Sequence, residues 1–377
     1  MADRLVASNA RLNVVIAGGG TGGHLYPGIA VAREVLRRLP DARVTFAGTA
    51  RGLEARAIPR EGFELDLLRS AGLKGKSLVS RLRGASLIVP SLVDAWRIVS
   101  SRRPHIVLGV GGYSSGPVVL TAWLRGVPTM VLEQNAIPGL TNRLLARVVR
   151  AAGVTYDETL TFFRGRGFVA GNPVRAEFFM AASSHDASRH PRRVLILGGS
   201  QGAHAINVAI VAAATELVRQ HPDLEIVHQT GERDVDDVRR GYADAGIHAR
   251  AESFLDPVVR EVMATDLVVC RAGATTLAEL AAAGRPAVLI PFAAATDDHQ
   301  RRNARVLVEA GAAVMVEERE LGGTTLAETV GALIGDPARL ARMADAMRTF
   351  AKPNAAAEIV DKVLALARVP APAMGRG

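Results

Sequence analysis

The chain has 377 residues, 49% of them hydrophobic and 22% charged, with a formal net charge of +9, one cysteine and only 4% aromatic residues. That length exceeds one comfortable hydrophobic core, so two domains are expected, and no apolar run reaches the roughly eighteen residues of a spanning helix. The low aromatic content, without any zinc-module or base-stacking signature, speaks against a nucleic-acid binder.

The N-terminal stretch "MADRLVASNARLNVVIAGG" lacks a basic segment followed by an apolar signal region, and the single Cys270 admits no internal disulfide; a reducing cytoplasm is expected from both. The first element, "NVVIAGGGTGGHLYPG" (13–28), reads as a strand, a glycine elbow and the start of a helix, with six glycines between positions 18 and 28. Gly18, Gly20 and Gly23 satisfy the spacing of a dinucleotide fingerprint. That fingerprint also needs an acidic residue about 20 positions on, at the end of the second strand, and "VTFAGTARG" supplies none there. What survives is a helix N-terminus with glycine amides, a site for a phosphate or another anion. The segment "SAGLKGKS" is no P-loop, because Ser70 stands where the first glycine belongs.

Between Arg69 and Arg103 there are eight Lys/Arg against one acid, Asp94, interleaved with Leu, Val, Ile and Trp. Two readings stay open: contact with an anionic membrane surface, or ordinary amphipathic helices with a solvated basic face. Further strands are expected at "HIVLGVGG", "PTMVLEQN" and "GFVAGNP", and the polar run "AASSHDASRHPRR" (181–193) reads as the loop before a second half. There "RRVLILGGSQGAH" repeats the first elbow with its Gly-Gly pair 180 positions later (198 − 18), followed by strands "LEIVHQTG", "DLVVCRAG", "RPAVLIPF" and "AAVMVEE". Alternating strands and helices predict an α/β protein of two doubly wound parallel-sheet domains, 1–170 and 171–351, with the helix at 352–370 packing back on the first. Ligands of such sheets lie beyond the carboxyl ends of the strands, which in two facing domains make one cleft.

In "VCRAGATTLAELAAAG" a strand ends at Cys270 and an elbow at 273–276 leads into a helix with Glu279 in its first turn. The elbow amides and the hydroxyls of Thr275 and Thr276 suit a diphosphate, and Glu279 suits a ribose diol. The alternative is a capping box, with Thr276 as cap and Glu279 returning to its amide. Asp297, Asp298, His299 and Gln300 follow a strand end and so sit at a binding edge. Asp234-Val235-Asp236 lies in the charged run "GERDVDDVRR", read as a solvated helix face and not as a metal site.

The motifs "GGGTGGHLYPG", "LEQNAIPGLTN" (132–142), "GNPVR" (171–175), "GGSQGA" (198–203), "CRAGATTLAEL" (270–280) and "DDHQRRNA" (297–304) together resemble the MurG family, over roughly residues 12 to 350. These are UDP-N-acetylglucosamine:N-acetylmuramyl-(pentapeptide) pyrophosphoryl-undecaprenol N-acetylglucosamine transferases of peptidoglycan synthesis. The resemblance implies a GT-B fold, a UDP-sugar held mainly by the second domain, and a lipid-linked acceptor reached from the cytoplasmic membrane face, with no metal or cofactor. It implies donor contacts along Ala274, Thr275, Thr276, Leu277, Ala278 and Glu279, with Ser200 and Arg175 at the phosphates. The Leu255 backbone would read the uracil edge, and Gln300, His299 and Asn135 would meet the N-acetylglucosamine. Thr21, Gly22 and Gly23 would face a donor or acceptor diphosphate. Two departures stand out: Leu132 where many members carry histidine, which excludes a catalytic histidine there, and Ala272 where they carry serine.

The implied chemistry turns an α-linked donor into a β-(1→4) product in one inverting displacement, so the acceptor hydroxyl needs a base and the leaving UDP needs charge stabilisation. His24 and Glu133 are the candidate bases. Histidine's ordinary pKa favours His24, with a phosphate ligand or helix N-terminal hydrogen bond as its alternative role. Transfer to diacylglycerol, UDP-sugar epimerisation and non-catalytic nucleotide binding at a membrane are the competing readings.

Overall fold

The computed structural model describes residues 11–50, 52–70, 87–180, 192–199, 202–295 and 298–368. The chain divides into two units, one of residues 1–134, 138–173 and 354–377, the other of residues 135–137 and 174–353.

The first unit holds a seven-stranded, all-parallel sheet in the order β3-β2-β1-β4-β5-β6-β7. Its strands are β1 (Asn13–Gly18), β2 (Arg43–Gly48), β3 (Glu64–Leu67), β4 (Ile106–Gly111), β5 (Thr129–Glu133), β6 (Ala151–Val154) and β7 (Gly167–Val169). Both faces are covered, and for that reason β1 is apolar at consecutive positions. Val14 and Ile16 face a core that includes Leu25 and Ile29 of the helix Gly22–Arg38, while Val15 and Ala17 face Ala95, Ile98 and Val99 of the helix Ile88–Arg102. The last helix, Ala355–Ala367, adds Ile359, Val360, Val363 and Leu364 to the first of these cores. Each such buried side chain contributes about 1.5–3 kcal/mol, which ties a segment remote in sequence to this unit. Arg38 reinforces the join through ion pairing with Asp361 and a 3.0 Å hydrogen bond to the Ala357 carbonyl.

The second unit holds a six-stranded parallel sheet ordered β10-β9-β8-β11-β12-β13. Its strands are β8 (Arg193–Leu197), β9 (Glu225–Gln229), β10 (Ala249–Glu252), β11 (Leu267–Cys270), β12 (Ala287–Leu289) and β13 (Ala313–Met315). The same alternation recurs: Val194 and Ile196 pack under the helix His204–Gln220, Leu195 and Leu197 against Leu277 and Leu280. In each unit the strand order reverses direction next to the first strand, at β1/β4 and β8/β11, and this switch point is where such sheets open toward ligands. The sequence thus yields the expected α/β architecture of two Rossmann-like parallel-sheet units.

Three strands escape the sequence pattern. β3 "ELDL" and β10 "ARAE" are four-residue edge strands carrying charge, and β6 "AAGV" is short and built of small residues. None presents enough apolar length to register as a strand without its neighbour.

Candidate active site

At the first elbow the glycines exist for close approach. Gly18 is in register with Gly111 at the end of β4; a Cβ on Gly18 would meet Val110 at 2.4 Å, and one on Gly112 would meet the Gly19 carbonyl at 2.4 Å. On the other side of the loop lies Glu54, the first residue of the helix Glu54–Arg60 and almost fully buried. Its Oε2 accepts from the Gly20 amide (2.8 Å), and its Oε1 accepts from the Thr49 amide (3.0 Å) and hydroxyl (2.8 Å). Burial alone would push the Glu54 carboxyl up, but these donors outweigh it and hold it below the usual range. A Cβ at Gly19 or Gly52 would strike this carboxylate, and one at Gly48 would strike the Glu54 Cγ. The loop therefore already cradles an anion, the protein's own. Thr21 precedes the helix Gly22–Arg38 without a side-chain cap, its carbonyl accepting from His24 and Leu25.

His24 lies in the first turn, half-buried, with Nδ1 3.3 Å from Oε1 of Gln134. Glu133, one residue earlier at the end of β5, is buried; its Oε2 accepts from the Gly139 amide (3.0 Å) and Asn142 Nδ2 (2.9 Å). That carboxylate organises the 134–142 turn.

In the second unit the helix Ala274–Ala283 starts earlier than the sequence suggests, with Gly273 as cap residue. Thr276 is therefore inside the helix, not its cap, and Glu279 is in the second turn. The capping-box alternative falls away, and so does the first-turn position of Glu279. The Glu279 carboxylate instead meets Arg175 Nη2 at 3.2 Å, while the Arg175 guanidinium lies over the Phe178 ring at 5.1 Å. Burial raises the Glu279 carboxyl to about 7 against the opposing pull of Arg175. Thr275 is buried and Thr276 and Ala278 half-buried, whereas the Leu277 side chain belongs to the core and its amide donates to the Gly273 carbonyl at 3.0 Å. Leu255 is also a core residue; its amide donates to Gln229 Oε1 (3.1 Å), and Gln229 Nε2 donates to the Gly199 carbonyl (3.0 Å), linking two predicted donor-contact segments.

The loop after β12 is held from two sides. Gln300 Oε1 accepts from the Phe292 amide (3.0 Å), and Glu318 Oε2 from the Ala293 amide (2.8 Å), with Arg271 bound to Glu318 (2.5 Å) and to the Ile290 carbonyl (3.2 Å). His299 and Gln300 open the helix His299–Glu309, half-buried. Four residues on, Asn303 is fully buried: Oδ1 accepts from the Ala136 amide (3.0 Å) while Nδ2 donates to Asn135 Oδ1 (3.2 Å) and the Ala272 carbonyl (3.4 Å). Asn135, far away in sequence, is thereby brought to the end of β11.

Ser200, Asp297 and the basic residues Lys74, Lys76, Arg81 and Arg83 lie outside the described residues. The Asp-x-Asp run needs correction. Asp236 and Asp237 are exposed, but Asp234 is buried, accepting from Asn207 Nδ2 (2.9 Å) and paired with His204 (3.0 Å). Sequence reasoning gave no role to Glu54, Gln134, Arg271, Glu318 or Asn303, although Gln134, Arg271 and Asn303 stand inside the motifs quoted above. The one signal available for Glu54 was the ring of glycines around it, Gly19, Gly48 and Gly52; Glu318 had none, its partners Arg271 and Ala293 being distant in sequence.

Residues 14–154 match the glycosyltransferase family 28 N-terminal domain and residues 193–359 the glycosyltransferase family 28 C-terminal domain. Fold and matches together define the class, a family 28 glycosyltransferase. The chain is 47% identical to the UDP-N-acetylglucosamine--N-acetylmuramyl-(pentapeptide) pyrophosphoryl-undecaprenol N-acetylglucosamine transferase of Anaeromyxobacter dehalogenans strain 2CP-C, over 95% of this chain and 94% of that one. The crystal structure of Acinetobacter baumannii MurG superposes with a TM-score of 0.75 at 29% identity, covering 94% of this chain and 99% of that one. The chain belongs to the MurG family. A UDP-GlcNAc 2-epimerase from Neisseria meningitidis, bound to UDP-GlcNAc, reaches a TM-score of 0.68 at 14% identity over 94% of this chain and all of that one, a likeness of fold alone.

Proposed function

We propose that this chain transfers N-acetylglucosamine from UDP-N-acetylglucosamine to the muramyl 4-hydroxyl of the undecaprenyl-pyrophosphoryl-N-acetylmuramyl-pentapeptide acceptor, completing the lipid-linked disaccharide of peptidoglycan. The carrying observation is 47% identity over 95% of the chain to a relative bearing that name. In this reading the second unit binds the donor. The amides and hydroxyls at the start of the helix Ala274–Ala283, with Arg175 and Ser200, take the diphosphate; Glu279 takes the ribose, and the Leu255 backbone the uracil edge. His299, Gln300 and Asn135 take the sugar. Developing negative charge on the departing UDP meets a helix N-terminus and a guanidinium, fixed dipoles and charge that need no reorganisation.

The first unit takes the acceptor, with its diphosphate at Thr21, Gly22 and Gly23. His24 is the base in preference to Glu133, whose carboxylate is buried and engaged with Gly139 and Asn142. The reaction is one inverting displacement: the acceptor oxygen attacks the anomeric carbon, its proton passes to His24, and the bond to UDP breaks.

The acceptor's lipid places the enzyme on the cytoplasmic face of the membrane, as a peripheral protein. No helix among the described residues is long and apolar enough to cross a bilayer. On the helix Ile88–Arg102, Ser91, Ala95, Ile98 and Val99 are buried, while Val89, Val93 and Trp96, spaced four and three apart on another face, remain exposed. An ordinary solvated face would carry polar groups there; exposed apolar side chains beside a basic segment suit an anionic interface. Radiolabelled UDP-N-acetylglucosamine with a soluble acceptor analogue tests the reaction: sugar on the acceptor is expected, and UDP release without it would overturn the reading.

A further inference from the structure

The geometry points to Gln134 as the residue that sets the tautomer of His24, holding the ring proton on Nδ1 so that Nε2 carries the lone pair. Gln134 is 2% exposed, and a buried carboxamide has to satisfy donor and acceptor separately. Its Nε2 lies 3.1 Å from the carbonyl oxygen of Val110. A backbone carbonyl can only accept, so the amide is fixed with NH₂ toward Val110 and Oε1 toward His24. Oε1 in turn can only accept, and the ring nitrogen facing it at 3.3 Å, Nδ1, therefore donates.

Packing supports the same orientation. Gly111, at the end of β4 with φ +101°, has no Cβ; one built there would fall 2.6 Å from Nδ1 and 2.8 Å from Cε1 of His24. The Nδ1 edge of the ring is thus pressed toward the strand ends of β4 and β5, against a hydrogen-bonding group whose polarity the backbone has already set. A neutral imidazole has one protonated and one basic nitrogen, and which is which follows from the bond the first one makes. Gln134 is accordingly a positioning residue: it touches neither substrate in the proposed reaction, and acts by presenting Nε2 as the proton acceptor.

The kinetic consequence rests on the base role proposed for His24; the tautomer does not. The test uses the full chain labelled with 15N-histidine, the His24 ring being assigned by its loss in His24→Ala, and reads ring nitrogen shifts above the pH at which the ring titrates. Wild type is expected in the Nδ1–H form. Gln134→Leu removes the acceptor and is expected to move the ring toward Nε2–H, lower kcat about 10²-fold, the low end of general-base contributions, and leave KM for UDP-N-acetylglucosamine unchanged. Gln134→Glu keeps an acceptor for Nδ1–H and is expected to retain the wild-type tautomer and kcat within about tenfold, although it loses the Val110 bond and some stability. An Nε2–H ring in wild type, or an unchanged Nδ1–H ring in Gln134→Leu, overturns the proposal. Should Gln134→Leu not fold, the wild-type and Gln134→Glu spectra still decide it. A His24→Ala enzyme with undiminished kcat would remove the base role and leave the tautomer assignment standing, so the two readings fail separately.

Discussion

Replacing Glu54 by glutamine keeps the size of the side chain and removes its charge and one acceptor. Three donors converge on this carboxylate, the Gly20 amide on Oε2 and the Thr49 amide and hydroxyl on Oε1. An amide oxygen can keep the Thr49 pair, but its NH₂ then opposes the Gly20 N–H; the flipped amide accepts from Gly20 and turns its NH₂ against the Thr49 N–H instead. Loss of one charge-assisted hydrogen bond in a buried site is worth about 2 kcal/mol, and Glu54→Ala, which orphans all three donors, about 4 kcal/mol. The carboxyl is held below its usual pKa, so its contribution is full above the unfolded value near 4.5 and disappears as pH falls through the folded value. The gap between wild type and Glu54→Gln should therefore be about 2 kcal/mol at pH 7.5 and shrink toward pH 3. Both tryptophans, Trp96 and Trp123, belong to the first unit, so urea unfolding followed by their fluorescence reports on the unit that contains Glu54. Equal stability at pH 7.5, or a gap unchanged at pH 3, would refute the claim that this loop is built around a carboxylate.

Glu279 behaves oppositely. With a folded pKa near 7 it holds its proton more tightly than the unfolded chain, so the second unit loses stability as pH rises from about 4.5 to 7; Glu279→Gln should abolish that slope and gain up to about 3 kcal/mol at pH 8 relative to pH 5, read by hydrogen exchange, while weakening UDP binding. Buried His228, its Nε2 3.0 Å from Asn207 and its Nδ1 3.0 Å from Tyr242, is pushed by burial down to about 3. Below pH 6.5 only the unfolded chain takes up that proton, and second-unit stability should fall by about 1.4 kcal/mol per pH unit, a slope that His228→Gln removes. His24→Ala should lower kcat at least ~10²-fold with donor affinity intact, and a parallel loss of donor affinity would make it a binding residue. Reversing Lys74, Lys76, Arg81 and Arg83 to Glu removes about 1 kcal/mol of surface attraction per cation and should abolish sedimentation with anionic vesicles; unchanged binding would refute the membrane contact.

The paired glycine elbows at Gly18 and Gly198 and the alternation of strand and helix were enough to read two doubly wound units, because both signals are local and periodic. The six motifs likewise carried the family. Helix starts were less legible: Gly273, not Thr276, caps the helix of Glu279, since a glycine cap leaves no side-chain signature. The solvated appearance of Asp234 came from its charged neighbours, yet Asn207 and His204, about thirty positions away, draw it inward.

What sequence alone determined, then, is the pair of parallel sheets, the elbow positions and the set of residues to watch, all properties of short segments. Only the tertiary structure decided what those residues touch. It seats Glu54 in the glycine loop, pairs Arg175 with Glu279 across 104 positions, and joins Asn303 to Asn135 across 168. It also turns Gln134 between Val110 and His24. Each of these contacts joins polar groups that the packing order of strands and helices brings together, a long-range property that no local pattern encodes.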